Sequence, residues 1–425
     1  MENSSNEDKE TCLPTKKLKT YDANKDYIND LPDPVLVHIL SFLPLRDAVR
    51  TVLLRRFGKL WLSMPVLDLD NCVYRENEDD DDVEICDYEK FMDIIHQVWN
   101  HRDENILDKL HLRFWFPLTY SKFESALDRL ELEKEKAAAY QIEKLVGYAI
   151  NRKVKVLDLN FKGCGYLAPV KELYKLPNVF SSNYLTELRL AVCDIRSCGE
   201  IDLQALRVLF LNKVILSDKA MVRILRGCPF LEDLSLVDCY GLGKLKSGNP
   251  NLKKVRLSLD AEKKQFVLSC PHVVSLEISG WIERANLFDV SSLVDASICF
   301  NILFKCEQRS YVDVLTLLLK IHHCKTFSPC GWSILSEEAR WVLEHDFDGE
   351  KYWDSKKATF PCLENITIYG RIDAPYVIQM VKFLLKNAPM LQKMVISTEK
   401  SLEVSLSREF LTFPIASSQA SIHFS

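Results

Sequence analysis

Apolar residues spaced as L-x-x-L-x-L recur through the middle of the chain at a nearly constant interval, and that interval restricts the fold more than any other feature of the sequence. The all-leucine copies are Leu185, Leu188 and Leu190; Leu206, Leu209 and Leu211; and Leu231, Leu234 and Leu236, with starts 21 and 25 residues apart. Relaxed copies continue as Leu252, Val255, Leu257; Val273, Leu276, Ile278; Leu293, Ala296, Ile298; and Val312, Leu315, Leu317, in steps of 21, 21, 20 and 19. A chain rich in aliphatics produces single relaxed matches by chance, so the leucine copies and the step carry the weight. A unit of this size cannot bury its apolar side alone and must stack on its neighbours.

A period of 20 to 29 residues is the leucine-rich-repeat range, and two copies extend further into that pattern. Cys193 after Leu185 and Cys239 after Leu231 take the Asn/Cys position, which makes them buried turn residues. Pro229, Pro250 and Pro271 each stand two residues before the first apolar position, and Pro229 blocks continuation of the helix RILRG beyond Gly227. Each unit is therefore expected to be strand, turn and helix. The expected fold is an α/β solenoid with parallel strands on a concave face and helices outside. Upstream copies at Leu107, Leu110, Leu112 and at Val154, Leu157, Leu159 are expected in the same stack, with the helical stretch ELEKEKAAAYQIEKLVGYAI as an insertion.

Strand alternation turns the second and third leucines of each copy inward and the residues beside them outward. Glu187, Arg189, Val208, Phe210, Asp233, Ser235, Lys254, Arg256 and Glu277 are thus the candidate substrate-binding residues of the concave face. Phe210 stands out as an outward aromatic, suited either to anchor a partner or to lie under a loop.

Near the N-terminus, Asp26 to Trp61 reads DYINDLPDPVLVHILSFLPLRDAVRTVLLRRFGKLW. Asp33 is placed to cap a helix with Pro34 at its first position, and Val35, Leu36, Ile39, Leu40, Phe42 and Leu43 follow at helical spacing until Pro44. These apolar positions cover more than one stripe. A second amphipathic run carries Ala48, Val49, Val52, Leu53 and Phe57, and Leu60 with Trp61 closes a third turn. Three short helices in so few residues are expected to complete their burial on a partner.

LPDPVLVHILSFLP, the DAVRT segment and the terminal LW together resemble the F-box of plant F-box proteins. The resemblance implies docking on the Skp-type adaptor, and through it on the cullin, of a Skp-cullin-F-box ubiquitin ligase. The implied contacts are Leu31, Pro32, Leu36, Ile39, Leu40, Leu43, Leu53, Phe57 and Trp61. The chain departs from the plant pattern twice: the helix is one residue short after Thr51, and Phe57 replaces a tryptophan. A deletion within a helix rotates every later side chain by about 100°. The alternative is therefore a leucine-rich-repeat binding module that does not assemble into a ligase.

At the other end, FPCLENITIYGRIDAPYVIQMVKFLLKNAPMLQKMVIS is expected to form strand, helix over 375–387, and strand. It resembles the FBD domain of plant F-box proteins with leucine-rich repeats. From the residues alone it reads as a terminal repeat pair capping the stack. The expected organisation is a tail over 1–25 with a small basic cluster at Lys16, Lys17 and Lys19, an F-box over 26–66, repeats over 67–344 with an acidic loop at 75–84, and an FBD domain over 345–425.

The composition excludes several function classes. With 47% hydrophobic and 27% charged residues among 425 the chain is globular, and a net charge of −5 argues against a nucleic-acid binder. No apolar run is long enough to span a membrane, and the polar start MENSSNEDKE is unlike a secretory signal. An intracellular protein of nucleus or cytoplasm, with its fourteen cysteines reduced, is expected. No P-loop, G-x-S-x-G, H-E-x-x-H or C-x-x-C motif occurs. His322, His323, Cys324 and Cys330 crowd into one group rather than two spaced ligand pairs, so no metal and no cofactor is expected. A cysteine-nucleophile ligase would need an activated thiolate, which nothing in the pattern singles out.

Overall fold

The computed structural model describes residues 27–28, 30–43, 47–48, 51, 57, 60–70, 72–74, 83–85, 91–93, 95–96, 100, 102, 107–114, 126–161, 174–176, 180–259, 265–281, 284–301, 320–331, 358–370, 375–398 and 404–425. The chain forms two compact units, Met1–Trp61 and Leu62–Ser425. In the first, helix α1 (Asp33–Leu40) has Pro32 as its N-cap residue. The carbonyl of Pro32 accepts from the N–H groups of Val35 and Leu36 at 3.0 and 3.2 Å. Asp33, expected as the cap, is instead the first helical residue, because the extended backbone of Pro32 (φ −60°, ψ 147°) already supplies the half-in residue. Its carboxylate there faces the positive end of the helix dipole. The helix stops at Leu40, before Pro44, where the Ser41 hydroxyl donates back to the His38 carbonyl at 2.6 Å. Asp47 and Ala48 are helical and Leu60–Ser63 forms a 3₁₀ turn.

The second unit carries strands β1 (Val66–Asp70), β2 (Cys72–Tyr74), β3 (Val83–Ile85), β4 (Lys109–Arg113), β5 (Val156–Asn160), β6 (Tyr174–Lys175) and β7 (Glu187–Ala191). They are followed by β8 (Cys193–Asp194), β9 (Val208–Asn212), β10 (Asp233–Val237), β11 (Lys244–Lys246), β12 (Lys254–Leu259), β13 (Gln265–Ser269) and β14 (Ser275–Trp281). The last are β15 (Arg284–Asp289), β16 (Asp295–Asn301), β17 (Thr326–Gly331), β18 (Asn365–Gly370), β19 (Lys393–Ser397) and β20 (Ser421–Phe424). The helices with described bounds are α2 (Ala126–Asn151), α3 (Asp218–Gly227), α4 (Pro375–Asn387) and α5 (Val404–Phe410), and residues 91–93 and 95–96 are also helical.

Thirteen strands make one parallel sheet in the order β1-β4-β5-β7-β9-β10-β12-β14-β16-β17-β18-β19-β20. The central copies enter it in the same way. The N–H groups of the last residue before the strand and of the strand's first residue both reach one carbonyl of the preceding unit, as Glu232 and Asp233 reach Arg207 at 2.8 and 3.0 Å. The second and fourth residues of each strand point into the core, so Leu188, Leu190, Leu209, Leu211, Leu234, Leu236, Val255 and Leu257 are all at most 2% exposed. The prolines preceding the copies act as expected. In Cys228-Pro229-Phe230-Leu231 the Leu231 N–H closes on the Cys228 carbonyl at 3.2 Å, with Pro229 supplying the fixed φ of a turn's second residue. The same closure recurs at Leu252, Val273, Leu363 and Leu391.

The rule of one helix per unit is corrected. Helices occur where the step is long: α3 lies in the 25-residue unit after Leu206, α2 between Leu107 and Val154, and α4 between Leu363 and Leu391. Units of 20 or 21 residues lack the four extra residues that make one helical turn. They return through short strands instead, and β11, β13 and β15 pair into a second parallel sheet.

Three further observations concern the stack. The copy at Val312, Leu315 and Leu317 lies outside the described residues, and the place beside β16 is taken by β17, where Phe327 and Pro329 are buried, with Cys324 buried just ahead of the strand. Ahead of the first expected copy, Met64, Leu67 and Leu69 form another, buried to 2% exposed or less, on β1. The described residues within 345–425 continue the same sheet through β18, β19 and β20, with α4 spanning Pro375–Asn387 as expected. Of the acidic stretch 75–84, Val83 and Glu84 lie in β3, which pairs with β2, and the rest is outside the described residues, as is the tail 1–25.

Candidate functional site

Two surfaces carry the residues singled out above, one in each unit. On α1 and in the turn just after it, two interleaved apolar stripes have different fates. Leu36 and Leu40 are buried at 0% and 2% exposed, whereas Val35, Ile39, Phe42 and Leu43 are 41, 43, 75 and 38% exposed. Tyr27 and Ile28, just ahead of the helix, are also exposed. Of the remaining expected contacts, Pro32 is exposed, Leu31 and Trp61 are half-buried, Phe57 is buried, and Leu53 lies outside the described residues. Leu36, Leu40 and Phe57 are thus interior residues of the chain itself. Val35 and Phe42 are not among the expected contacts; dividing the apolar positions by the 3.6-residue period puts them with Ile39 on one face, which is the signal that finds them.

The second surface is the side of the large sheet opposite the core leucines. The parallel register aligns Glu187 with Val208 and Arg189 with Phe210, then Val208 with Asp233 and Phe210 with Ser235. It continues from Asp233 to Lys254, from Ser235 to Arg256, and from Arg256 to Glu277. All nine candidates therefore lie on five adjacent strands, β7, β9, β10, β12 and β14. Eight are half-buried. Ser235 is the correction: at 5% exposed it offers almost no surface, because its short side chain lies between the long Phe210 and Arg256 of the neighbouring strands.

Charges on this face are paired with one another. Arg189 bonds Glu187, Lys254 lies 3.7 Å from Asp233, and Arg256 Nε donates to Glu277 at 2.7 Å, which keeps the guanidinium firmly protonated. The Arg189 guanidinium also lies over the Phe210 ring, 5.4 Å from its centre. The central face is thus nearly neutral, with one aromatic ring held in place by a cation.

The same side of the sheet extends over β1, β4 and β5, where Arg113 reaches Asp68 at 3.6 Å and Asp70 at 3.4 Å, and His111 Nδ1 meets Asp158 at 3.1 Å. The sequence pattern misses the start of this part because its first copy begins with Met64 rather than leucine.

Thiol chemistry is suppressed where the thiols are buried. Burial pushes Cys228, Cys239 and Cys324 up to about 12 and Cys270 up to about 11, and pushes Cys193 well above the ordinary thiol value. At neutral pH these five are protonated and are not nucleophiles. Cys299 departs from the expectation of reduced thiols, being disulfide-bonded. No group of three metal-ligating side chains occurs among the described residues. His323 Nε2 donates to the Val290 carbonyl at 3.0 Å, and Cys324 fills a core position. No described helix is long and apolar enough to cross a membrane.

The sequence is similar to those of known proteins. Residues 146–291 match the family model described as FBD-associated F-box protein At5g56370, LRR repeats. The putative F-box/LRR-repeat protein At3g18150 of Arabidopsis thaliana is 26% identical over 386 residues, covering 88% of this chain and 72% of the relative. The F-box/FBD/LRR-repeat protein At2g04230 of the same plant is 27% identical over 356 residues, covering 76% and 72%. The F-box/LRR-repeat protein At4g14103 is 26% identical over 398 residues, covering 88% and 92%. Over most of its length, the chain is similar to F-box/LRR-repeat and F-box/FBD/LRR-repeat proteins of this plant, at 26–27% identity in these three relatives.

Proposed function

We propose that this chain is the substrate-recognition subunit of a Skp-cullin-F-box ubiquitin ligase. The N-terminal unit docks on a Skp-type adaptor, and the exposed face of β7 to β14 holds a substrate protein for ubiquitination. The observation that supports this reading is the exposed stripe of Val35, Ile39, Phe42 and Leu43 on and just after an eight-residue helix. Apolar side chains grouped in this way mark an interaction site. Fully burying one contributes about 1.5–3 kcal/mol, so a few of them suffice for specific docking.

On this reading the chain contributes geometry rather than bond chemistry. Holding the substrate beside a ubiquitin-carrying enzyme raises its effective concentration at the site of transfer. The test is co-purification with a plant Skp-type adaptor, wild type beside Ile39→Asp and beside Leu31→Ala/Pro32→Ala. An equimolar complex that Ile39→Asp abolishes is the expected result. A wild-type chain that fails to bind the adaptor would refute ligase assembly and leave a repeat module that binds proteins without recruiting the ligase.

A further inference from the structure

The second unit has another surface, on the helix side of the sheet, that the proposed function does not use. Between α3 and the turn after β11 runs a groove of about 520 Å³. Its apolar lining includes Val222, Leu225, Phe230 and Pro250, with Val222 and Phe230 41 and 52% exposed. The groove is preformed. Asn249 Nδ2 donates to the Cys228 carbonyl at 3.3 Å and Asn251 Nδ2 to the Pro229 carbonyl at 3.0 Å, tying one wall to the other across a repeat.

The surroundings are cationic. Elements α3 and β11 carry Lys219, Arg223, Arg226, Lys244 and Lys246 against one carboxylate, Asp218. That carboxylate is engaged: its Oδ1 accepts from the N–H groups of Gly243 and Lys244 at 2.8 and 3.1 Å, and its Oδ2 lies 4.0 Å from the Lys244 ammonium, so among these cations it offsets Lys244. Arg226 lines the groove, is exposed, and has no carboxylate partner among the described residues. In a chain with a net charge of −5, this local excess of cations beside an apolar trough is a selective feature.

We infer that the groove binds an acidic peptide segment of a partner protein, with an apolar side chain against Val222 and Phe230 and a carboxylate on Arg226. This surface lies on the opposite side of the sheet from Phe210, so the chain can hold such a partner while the strand face is occupied. The fixed walls lower the ordering cost of binding, although one groove of this size supports only modest affinity.

The experiment uses the full chain and a fluorescein-labelled nonapeptide, Gly-Asp-Glu-Phe-Pro-Leu-Glu-Asp-Gly, read by anisotropy. Saturable binding with a Kd below about 100 μM is expected, weakened at least tenfold by Arg226→Glu and by Phe230→Ser, and weakened by added salt. Arg189→Ala on the strand face should leave it unchanged, which separates this surface from the proposed substrate face. Circular dichroism of each variant confirms that the fold is kept. Equal binding of a control peptide with lysine in place of every acid, or an Arg226→Glu variant that binds as wild type, would overturn the inference. So would a concentration-dependent dimer that Phe230→Ser dissolves, which would assign the groove to a second copy of the chain.

Discussion

Two helical glycines offer the same substitution with opposite consequences. Gly227 ends α3 and is buried, and a Cβ built on it would lie 2.1 Å from the Ile201 carbonyl oxygen and 2.6 Å from its carbon. Backbone is what blocks it, and that backbone is held on both sides. Leu203 donates to the Gly227 carbonyl at 2.9 Å, Asp202 donates to Phe180 at 2.7 Å, and Ser182 donates to Asp202 at 2.9 Å. Gly227→Ala must therefore push two repeats apart. Overpacking typically costs about 1–3 kcal/mol and a lost backbone hydrogen bond about 1 kcal/mol more, against a helix-propensity gain that is small at a terminal position. The net expectation is a loss of about 2–3 kcal/mol. Gly147, inside α2, has nothing within 4 Å of its would-be Cβ, so Gly147→Ala should gain about 0.8–1 kcal/mol. Urea denaturation monitored by far-UV circular dichroism reads both as midpoint shifts. A neutral or stabilised Gly227→Ala would refute the close approach of the 201–203 segment to α3, and with it the way successive units stack here.

Three further outcomes are expected. Val192 has φ 57°, a left-handed backbone that a β-branched side chain adopts at a cost of about 1–2 kcal/mol, so Val192→Asn should raise the urea midpoint by the equivalent of about 0.5–1 kcal/mol. The Ser217 hydroxyl accepts from the Ala220 N–H at 3.2 Å as the N-cap of α3, and Ser217→Ala should cost about 1 kcal/mol in the same assay. Cys228, Cys270 and Cys324 ionise at about 12, 11 and 12 in the fold against 9.0 for a free thiol, so the unfolded chain loses these protons first as pH rises. Their contribution is intact below pH 9 and is lost from there upward, at about 1.4 kcal/mol per thiol per pH unit. The midpoint should fall steeply between about pH 9 and pH 10.5, and a variant with all three replaced by alanine should fall less.

What the sequence reveals here is what repetition over-determines. Each core leucine is specified by its own strand and by the register of two neighbours, so spacing alone locates Leu188, Leu209, Leu234 and Val255, all at most 2% exposed. Where the pattern uses other residues the same logic fails to see the unit. Met64 with Leu67 and Leu69, or Cys324 with Phe327, bury as well as leucines do but do not announce a period. Expecting a helix in every unit fails for a related reason: the spacing of leucines fixes the strand, while the length of chain left between strands decides whether the return is helix or short strand. On the exposed face, alternation correctly turns Glu187, Arg189 and Phe210 outward, yet says nothing about area, which depends on the neighbours across the sheet. Ser235 lies at the right position and is covered, because Phe210 and Arg256 are both long enough to close over it. On and just after α1, likewise, six apolar positions at helical spacing leave open which stripe is interior. Burial of Leu36 and Leu40 resolves it, and leaves Val35, Ile39 and Phe42 as the side chains a partner would have to cover.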